Sequence, residues 1–240
     1  MKKILIIGAT SGIGRATAVL FHKRGYQVIG LGRRENMLVS LYDELGEGFT
    51  YAVYDMASDE AIASLETILE EAGKVDVVFL CAGVGYRNIE YDWAKEEETI
   101  RTNVMGFSRA AHTVMQYFFR QGGGQLICAS SIAGVRGVGT AAYGASKAYI
   151  SNYTDSLRII AEMRDCDIVV TDYQPGFVDT AMGQASSFWR ISAKKAAEYV
   201  WRAVKERREH IYVSSRWRWI AYLMRILPHS VLRAIIKQKS

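Results

Sequence analysis

The segment Gly8-Ala9-Thr10-Ser11-Gly12-Ile13-Gly14 constrains the fold more than any other part of the 240-residue chain. It follows an apolar run, Lys3-Ile4-Leu5-Ile6-Ile7, and precedes a stretch with helical spacing over residues 13–24. A strand that turns through glycines into a helix gathers unpaired N–H groups and the positive end of the helix dipole at one point. Glycines there permit a tight turn, the close approach of a pyrophosphate, and the packing of helix on strand. The context required of a dinucleotide-binding turn is present, strand before and helix after. Gly8, Ser11, Gly12, Ile13 and Gly14 are its candidate contacts.

The rest of the chain alternates in the same manner. Strand-like apolar runs fall at residues 3–7, 27–31, 50–54, 75–80, 125–129, 168–173 and 211–213. Helical spacing marks residues 13–24, 35–45, 60–71, 97–119, 143–163 and 193–207. Runs such as Val75-Asp76-Val77-Val78-Phe79-Leu80 are nearly unbroken in apolar residues, as strands are when helices cover both faces of a parallel sheet. The fold class expected is α/β: a Rossmann-type doubly wound parallel sheet of about seven strands, with helices on both faces and an amphipathic C-terminal extension. With two prolines and no linker or repeat, residues 1–240 read as one domain.

No apolar run approaches the ~20 residues that cross a bilayer. The apolar start after Met1-Lys2-Lys3 stops at Gly8, short of the roughly 7–15 residues of a leader's core, so no leader is expected. Cys81, Cys128 and Cys166 lie far apart in apolar segments. That pattern predicts neither a disulfide framework nor a metal site, and fits a reducing, cytoplasmic setting.

The end of the second strand bears on which dinucleotide is bound. An NAD-preferring site wants an acid there, about 20 residues beyond the turn, to accept from the ribose hydroxyls. Here the sequence is Gly30-Leu31-Gly32-Arg33-Arg34, with no acid before Glu35. Arg33 and Arg34 can donate to a 2′-phosphate, so NADP(H) is the expected cofactor; a pair of solvated loop arginines is the alternative.

Tyr143 and Lys147, four apart, share one face of a predicted helix. Carbonyl reduction needs a proton donor at the developing alkoxide, and the reverse reaction needs a base. A tyrosine of pKa ~10 is a poor base at neutral pH, and a neighbouring ammonium lowers that value. Upstream, Ile127-Cys128-Ala129-Ser130-Ser131 ends a predicted strand in two hydroxyls, at the edge where open parallel sheets bind ligands. Either serine can hold a substrate oxygen in line with the tyrosine proton.

These motifs, in this order, resemble the short-chain dehydrogenase/reductase family in its single-domain form, and the likeness runs to about residue 213. Gly8-x-x-x-Gly12-x-Gly14 is similar to the family's cofactor turn, Asp55-Met56 to the pair that meets adenine, and Ala82-Gly83 to the end of its Asn-Asn-Ala-Gly turn. Asn103 matches the asparagine that anchors a water and proton relay through its main chain. The stretch Pro175-Gly176-Phe177-Val178-Asp179-Thr180 is similar to the one that holds the nicotinamide carboxamide. Pro175, Gly176, Val178 and Thr180 thereby join the implied cofactor contacts.

The resemblance implies that Tyr143 is the acid/base and that Lys147 tunes it and binds the nicotinamide ribose. Ser131 would orient the substrate oxygen, because Ile132-Ala133-Gly134 follows it as in the family. Its spacing to Tyr143 is one residue short of the family's, which keeps Ser130 in competition. Leu80 and Cys81 replace the family's two asparagines; Cys81 reads as a small buried hydrophobe. Ser11 stands where some NADP-preferring relatives carry a basic residue, which leaves the 2′-phosphate to Arg33 and Arg34. The length beyond the last predicted strand argues against the acyl-carrier-protein reductases of fatty-acid synthesis. The function expected is hydride transfer between NADP(H) and a small, lipophilic carbonyl or secondary alcohol. A noncatalytic NADP-binding regulator is the alternative from another class.

Two late segments bear on partners. The resemblance implies a substrate lid at residues 181–192, where Met182, Phe188 and Trp189 among small residues suit closure over an apolar substrate; an ordinary surface helix could carry the same residues. Residues 1–187 carry 17 basic and 22 acidic side chains, whereas residues 188–240 carry 13 and 3. Such a tail meets an acidic surface or is a solvated basic face, and no recognition motif points to nucleic acid. On a helical wheel Trp219, Ile220, Leu223, Met224, Ile226 and Leu227 share one side, opposite Arg218 and Arg225. After Pro228, Ser230 can cap a second helix, with Val231, Leu232, Ile235 and Ile236 on one face and Arg233 and Lys237 on another. The extension at residues 215–240 packs on its own cleft, packs on a second subunit of a homodimer or homotetramer, or makes a peripheral membrane contact.

Overall fold

Ile4, Leu5, Ile6 and Ile7 are all buried, but alternate residues enter different cores. They form β1 (Lys3–Ile7), an inner strand of a seven-stranded, all-parallel sheet. The structure, a computed structural model, describes residues 1–180 and 189–237. The other strands are β2 (Gln27–Gly32), β3 (Phe49–Val53), β4 (Val77–Leu80), β5 (Gly123–Ala129), β6 (Asp167–Pro175) and β9 (His210–Val213), in the order β3-β2-β1-β4-β5-β6-β9. Helices α1 (Gly12–Lys23), α2 (Glu35–Leu45) and α7 (Ala193–Glu206) cover the face that carries Ile4, Ile6, Val77 and Phe79. Helices α3 (Ala61–Ala72), α5 (Phe107–Gln121) and α6 (Ala141–Met163) cover Leu5, Ile7, Val78 and Leu80. Burial on both faces is what the unbroken apolar runs require. The strand order reverses between β1 and β4, which opens a crevice beyond their C-terminal ends. The expected Rossmann-type doubly wound sheet is the fold observed, with element ends shifted by a residue or two.

The helix expected over residues 97–119 starts earlier and is interrupted. α4 (Trp93–Ile100) begins at Asp92, whose Oδ1 accepts from the Ala94 amide at 3.0 Å. Arg101–Gly106 then form a π-helical turn before α5. The wide turn seats Gly106 against the Met56 carbonyl, which a Cβ would approach to 2.8 Å. One inserted residue leaves the apolar spacing on either side intact, so periodicity does not reveal it.

Nothing in the sequence marks a short parallel pair, β7 (Val178–Asp179) with β8 (Ile191–Ser192), the second of which is the end of the candidate lid. Lid residues 181–188 lie outside the described residues.

The C-terminal helices α8 (Ser215–Ile226) and α9 (His229–Lys237) are present, but the apolar arc divides differently. Trp217 and Ala221 are buried with Ile132, and Ile220 and Met224 pack beside them. Trp219, Leu223 and Ile226 point outward. The arc is wider than one contact face, and its inner edge is set by Trp217, whose indole occupies the space a Cβ on Gly176 would need. α9 begins at His229, so Ser230 lies within its first turn instead of capping it. Leu232 is buried and Val231 exposed; the side chains of residues 235–237 lie outside the described residues. No described helix is long and apolar enough to cross a membrane.

Candidate active site

Beyond β1 the chain doubles back over the sheet edge. The amides of Gly8, at φ +101°, and Ala9 both donate to the Leu31 carbonyl, at 2.8 and 3.0 Å. Gly14 rests on the Gly8 carbonyl, in space where a Cβ would collide with it. That contact lays α1 against β1 and aims its first turn at the crevice. The turn holds no acidic side chain, and the Ser11 hydroxyl does not cap it. Its N–H groups and dipole, beside Gly12 and Ile13, are therefore available to an external anion, and the residues fit a dinucleotide pyrophosphate. Thr180 faces the turn: a Cβ on Gly12 would lie 2.9 Å from its Cγ2.

The Ser11 hydroxyl is engaged by Arg34. That guanidinium donates to Thr10 Oγ1 at 2.7 Å and to Ser11 Oγ at 2.8 Å, which holds a cation beside the phosphate turn. Arg33 lines a cleft of about 380 Å³ with Asp55, Ser58, Glu98, Arg101 and Thr102. Of the pair expected near adenine, Asp55 opens to this cleft and Met56 is buried against Gly106. On the other side of the turn, the amides of Cys81 and Ala82 donate to the Ile7 carbonyl at 2.9 and 2.8 Å. Gly83 follows, between Asn103 and Lys147. Burial pushes the Cys81 thiol up to about 12, so it stays protonated.

β5 delivers Ser130 and Ser131 to the sheet edge, and the first turns of α6 bring Tyr143 and Lys147 beside them. The Ser131 hydroxyl is near enough to Tyr143 to favour its phenolate, accepts from the Ala133 amide at 3.1 Å, and lies 3.5 Å from the Pro175 carbonyl. Ser130 turns inward, where its hydroxyl donates to the buried Asp172 carboxylate. Geometry thus separates two serines that are adjacent in sequence. The buried Lys147 ammonium donates to the Ala129 carbonyl at 2.8 Å and sits 5.8 Å from the centre of the Tyr143 ring. Burial lowers Lys147 to about 8, opposed by the nearby Asp172 carboxylate. Burial also raises the Tyr143 phenol, opposed by the Ser131 hydroxyl. In the chain alone, desolvation is the larger influence on that phenol, which is a protonated donor at neutral pH.

Asn103 lies buried in the π-helical turn. Its Oδ1 accepts from the Val84 amide at 2.9 Å, and its Nδ2 donates to the Val84 carbonyl at 2.7 Å and to Ser146 Oγ at 3.1 Å. Ser146 donates in turn to the Tyr143 carbonyl at 2.8 Å. The side chain therefore ties the loop after β4 to the helix of Tyr143.

The short chain dehydrogenase family model matches residues 2–190. The chain belongs to the short-chain dehydrogenase/reductase family. A similar protein described as an uncharacterized oxidoreductase, from Myxococcus xanthus, is 36% identical over 191 residues, 77% of this chain and 75% of that protein. The 3-oxoacyl-acyl-carrier-protein reductase of Escherichia coli is 35% identical over 192 residues, 78% of this chain and 77% of that enzyme. In three dimensions, a short-chain dehydrogenase/reductase from Burkholderia phymatum in complex with NAD matches with a TM-score of 0.84 at 22% identity, covering 92% of each chain. The closed form of a serine dehydrogenase complexed with NADP+ matches with a TM-score of 0.80 at 25% identity, covering 88% of this chain and 93% of that one. As a short-chain dehydrogenase/reductase the chain is an oxidoreductase, of a family that transfers hydride with NAD or NADP. The family match ends before α7, α8 and α9.

Four residues of this member's site escape sequence reasoning. Glu96 is buried, accepts from the Ala142 amide at 2.9 Å, and so anchors the start of α6; Asn88 holds its other oxygen at 2.9 Å. Within Lys95-Glu96-Glu97-Glu98 it looks solvated, and the stripe Glu96, Thr99, Asn103 is the signal that could have found it. Asp172 is identified only by the partner it meets, Ser130. Trp217 stacks edge-on to Phe177, ring centres 5.6 Å apart, and covers Gly176. Arg136, just past the serine loop, donates to the carbonyls of Met224, Arg225 and Leu227 at the end of α8, at 3.0, 3.3 and 2.6 Å.

Proposed function

We propose that this oxidoreductase moves a hydride between NADP(H) and the carbonyl or secondary alcohol carbon of a lipophilic substrate. What supports the reading above all is the fixed Lys147 ammonium 5.8 Å from the centre of the Tyr143 ring, with Ser131 beside that phenol at the same sheet edge. Gly8, Gly12, Ile13 and Gly14 would hold the pyrophosphate, Arg33 and Arg34 the 2′-phosphate, and Pro175, Gly176, Val178 and Thr180 the carboxamide. The nicotinamide, when bound, supplies or accepts the hydride at the substrate carbon.

The rest of the chemistry falls to side chains. Ser131 Oγ holds the substrate oxygen, and Tyr143 Oη gives it a proton as negative charge develops. The raised phenol keeps that proton in place at neutral pH, which suits reduction. Lys147 favours phenolate in the reverse direction and binds the ribose. Asn103 is a positioning residue, holding Val84 and the Tyr143 helix in register. Phe177 and Trp189, both partly exposed, favour an apolar substrate.

A panel of apolar diketones and quinones tests the reading, with NADPH and NADH compared as donors. Turnover with a marked preference for NADPH is expected, with the Tyr143→Phe chain inactive yet still binding NADPH. Turnover that survives Tyr143→Phe, or equal use of both donors, would defeat it.

A further inference from the structure

α8 is apolar on two opposite faces, and the described fold buries one of them. Trp217, Ile220, Ala221 and Met224 turn inward. Trp219, Tyr222, Leu223 and Ile226 recur at helical spacing on the other side and are 66, 60, 49 and 60% exposed. Val231 of α9 adds to the exposed apolar surface. A continuous apolar stripe that includes an indole and a phenol is more than solubility tolerates by accident. The segment's own charge has a single sign: residues 214–240 carry six Lys and Arg and no Asp or Glu. Arg218 and Arg225, seven residues apart, run along one border of the stripe, and the Arg218 guanidinium lies over the Trp219 ring at 5.7 Å.

The geometry points to an anionic lipid surface as the partner of this face, with the stripe at the acyl boundary and the arginines among the headgroups. Tryptophan and tyrosine settle at that boundary, and arginines reach outward from it while their stems stay apolar. A second copy of the chain is a poorer fit, because a two-fold contact would set these cations against themselves with no acid in the segment to pair them. The inner face of α8 lies on Ile132 and Gly176, so a docked chain would hold its carbonyl site at the bilayer edge and draw apolar substrate from it. That last step rests on the reading under Proposed function; the docking itself does not.

Flotation of the full-length chain with vesicles reads docking without turnover. The chain is expected to rise with phosphatidylcholine vesicles that contain phosphatidylglycerol, to be released by salt, and to stay behind with phosphatidylcholine alone. Arg218→Gln and Arg225→Gln should each weaken partition about fivefold, and they alter no buried side chain. The double variant Leu223→Glu/Ile226→Glu should abolish it. The Tyr143→Phe chain should float like wild type, which separates a failure here from a failure of the oxidoreductase reading. No partition onto anionic vesicles, or undiminished partition of the glutamate variant, overturns the proposal. A concentration-dependent dimer that the glutamate variant loses, with no vesicle binding, overturns it in favour of a second copy.

Discussion

The Lys147 ammonium is hydrogen-bonded to the Ala129 carbonyl at 2.8 Å, tying the second turn of α6 to the last residue of β5. Burial holds Lys147 at about 8 in the folded chain, against 10.5 ordinarily. The unfolded chain therefore binds more protons between these values, and folding gains stability as pH rises through that window. Lys147→Met removes the effect. The melting temperature of wild type minus that of Lys147→Met should increase between about pH 8 and 10.5. A flat difference would mean that the ammonium is not desolvated.

The two serines should fail in different ways. Ser131→Ala removes a donor at the substrate oxygen, and kcat is expected to fall about 100- to 1,000-fold, while loss of its cap on the Ala133 amide costs only about 1 kcal/mol of stability. Ser130→Ala strips the buried Asp172 of a partner and should cost roughly 1–3 kcal/mol of stability in urea titrations. Its kcat should stay closer to wild type. The reverse pattern would transfer the substrate oxygen to Ser130.

Arg34→Ala and Arg33→Ala test cofactor choice. Each removes a charge-assisted donor, so kcat/KM for NADPH should drop about 10- to 100-fold, with a far smaller change for NADH. Equal losses with both cofactors would count against a 2′-phosphate contact at either residue.

Trp217→Ala empties the space above Gly176. A buried aromatic lost in this way costs about 3–5 kcal/mol, measurable by urea unfolding. The KM for NADPH should rise as well, because Pro175 and Gly176 lose their cover, and Trp217→Phe should restore most of both. An unchanged KM would confine Trp217 to a stabilising role.

The sheet and its helices were legible because short unbroken apolar runs take turns with stretches of 3.6-residue apolar spacing, and Ile4–Ile7 alone indicate a strand covered on both faces. The cofactor turn was legible because its glycines answer to steric demands within a few residues. What stayed hidden depends on distant partners. Ser130 and Ser131 are told apart by Asp172 and Tyr143, and no local pattern specifies which serine meets which. The π-helical turn around Asn103 adds a residue without disturbing the spacing of its neighbours. In α8 the sequence shows an apolar arc but not which edge settles on Gly176: Trp219, inside that arc, is exposed, and Trp217, which the wheel did not place, is buried.

Arg136 makes the serine loop and the final helices a single mechanical unit. One guanidinium grips three carbonyls where α8 runs out, only five residues after Ser131. Any pull, load or fusion applied to the chain's last segment is therefore delivered to the hydroxyl that faces Tyr143. A stretch outside the family match is thereby tied to the loop that carries Ser131.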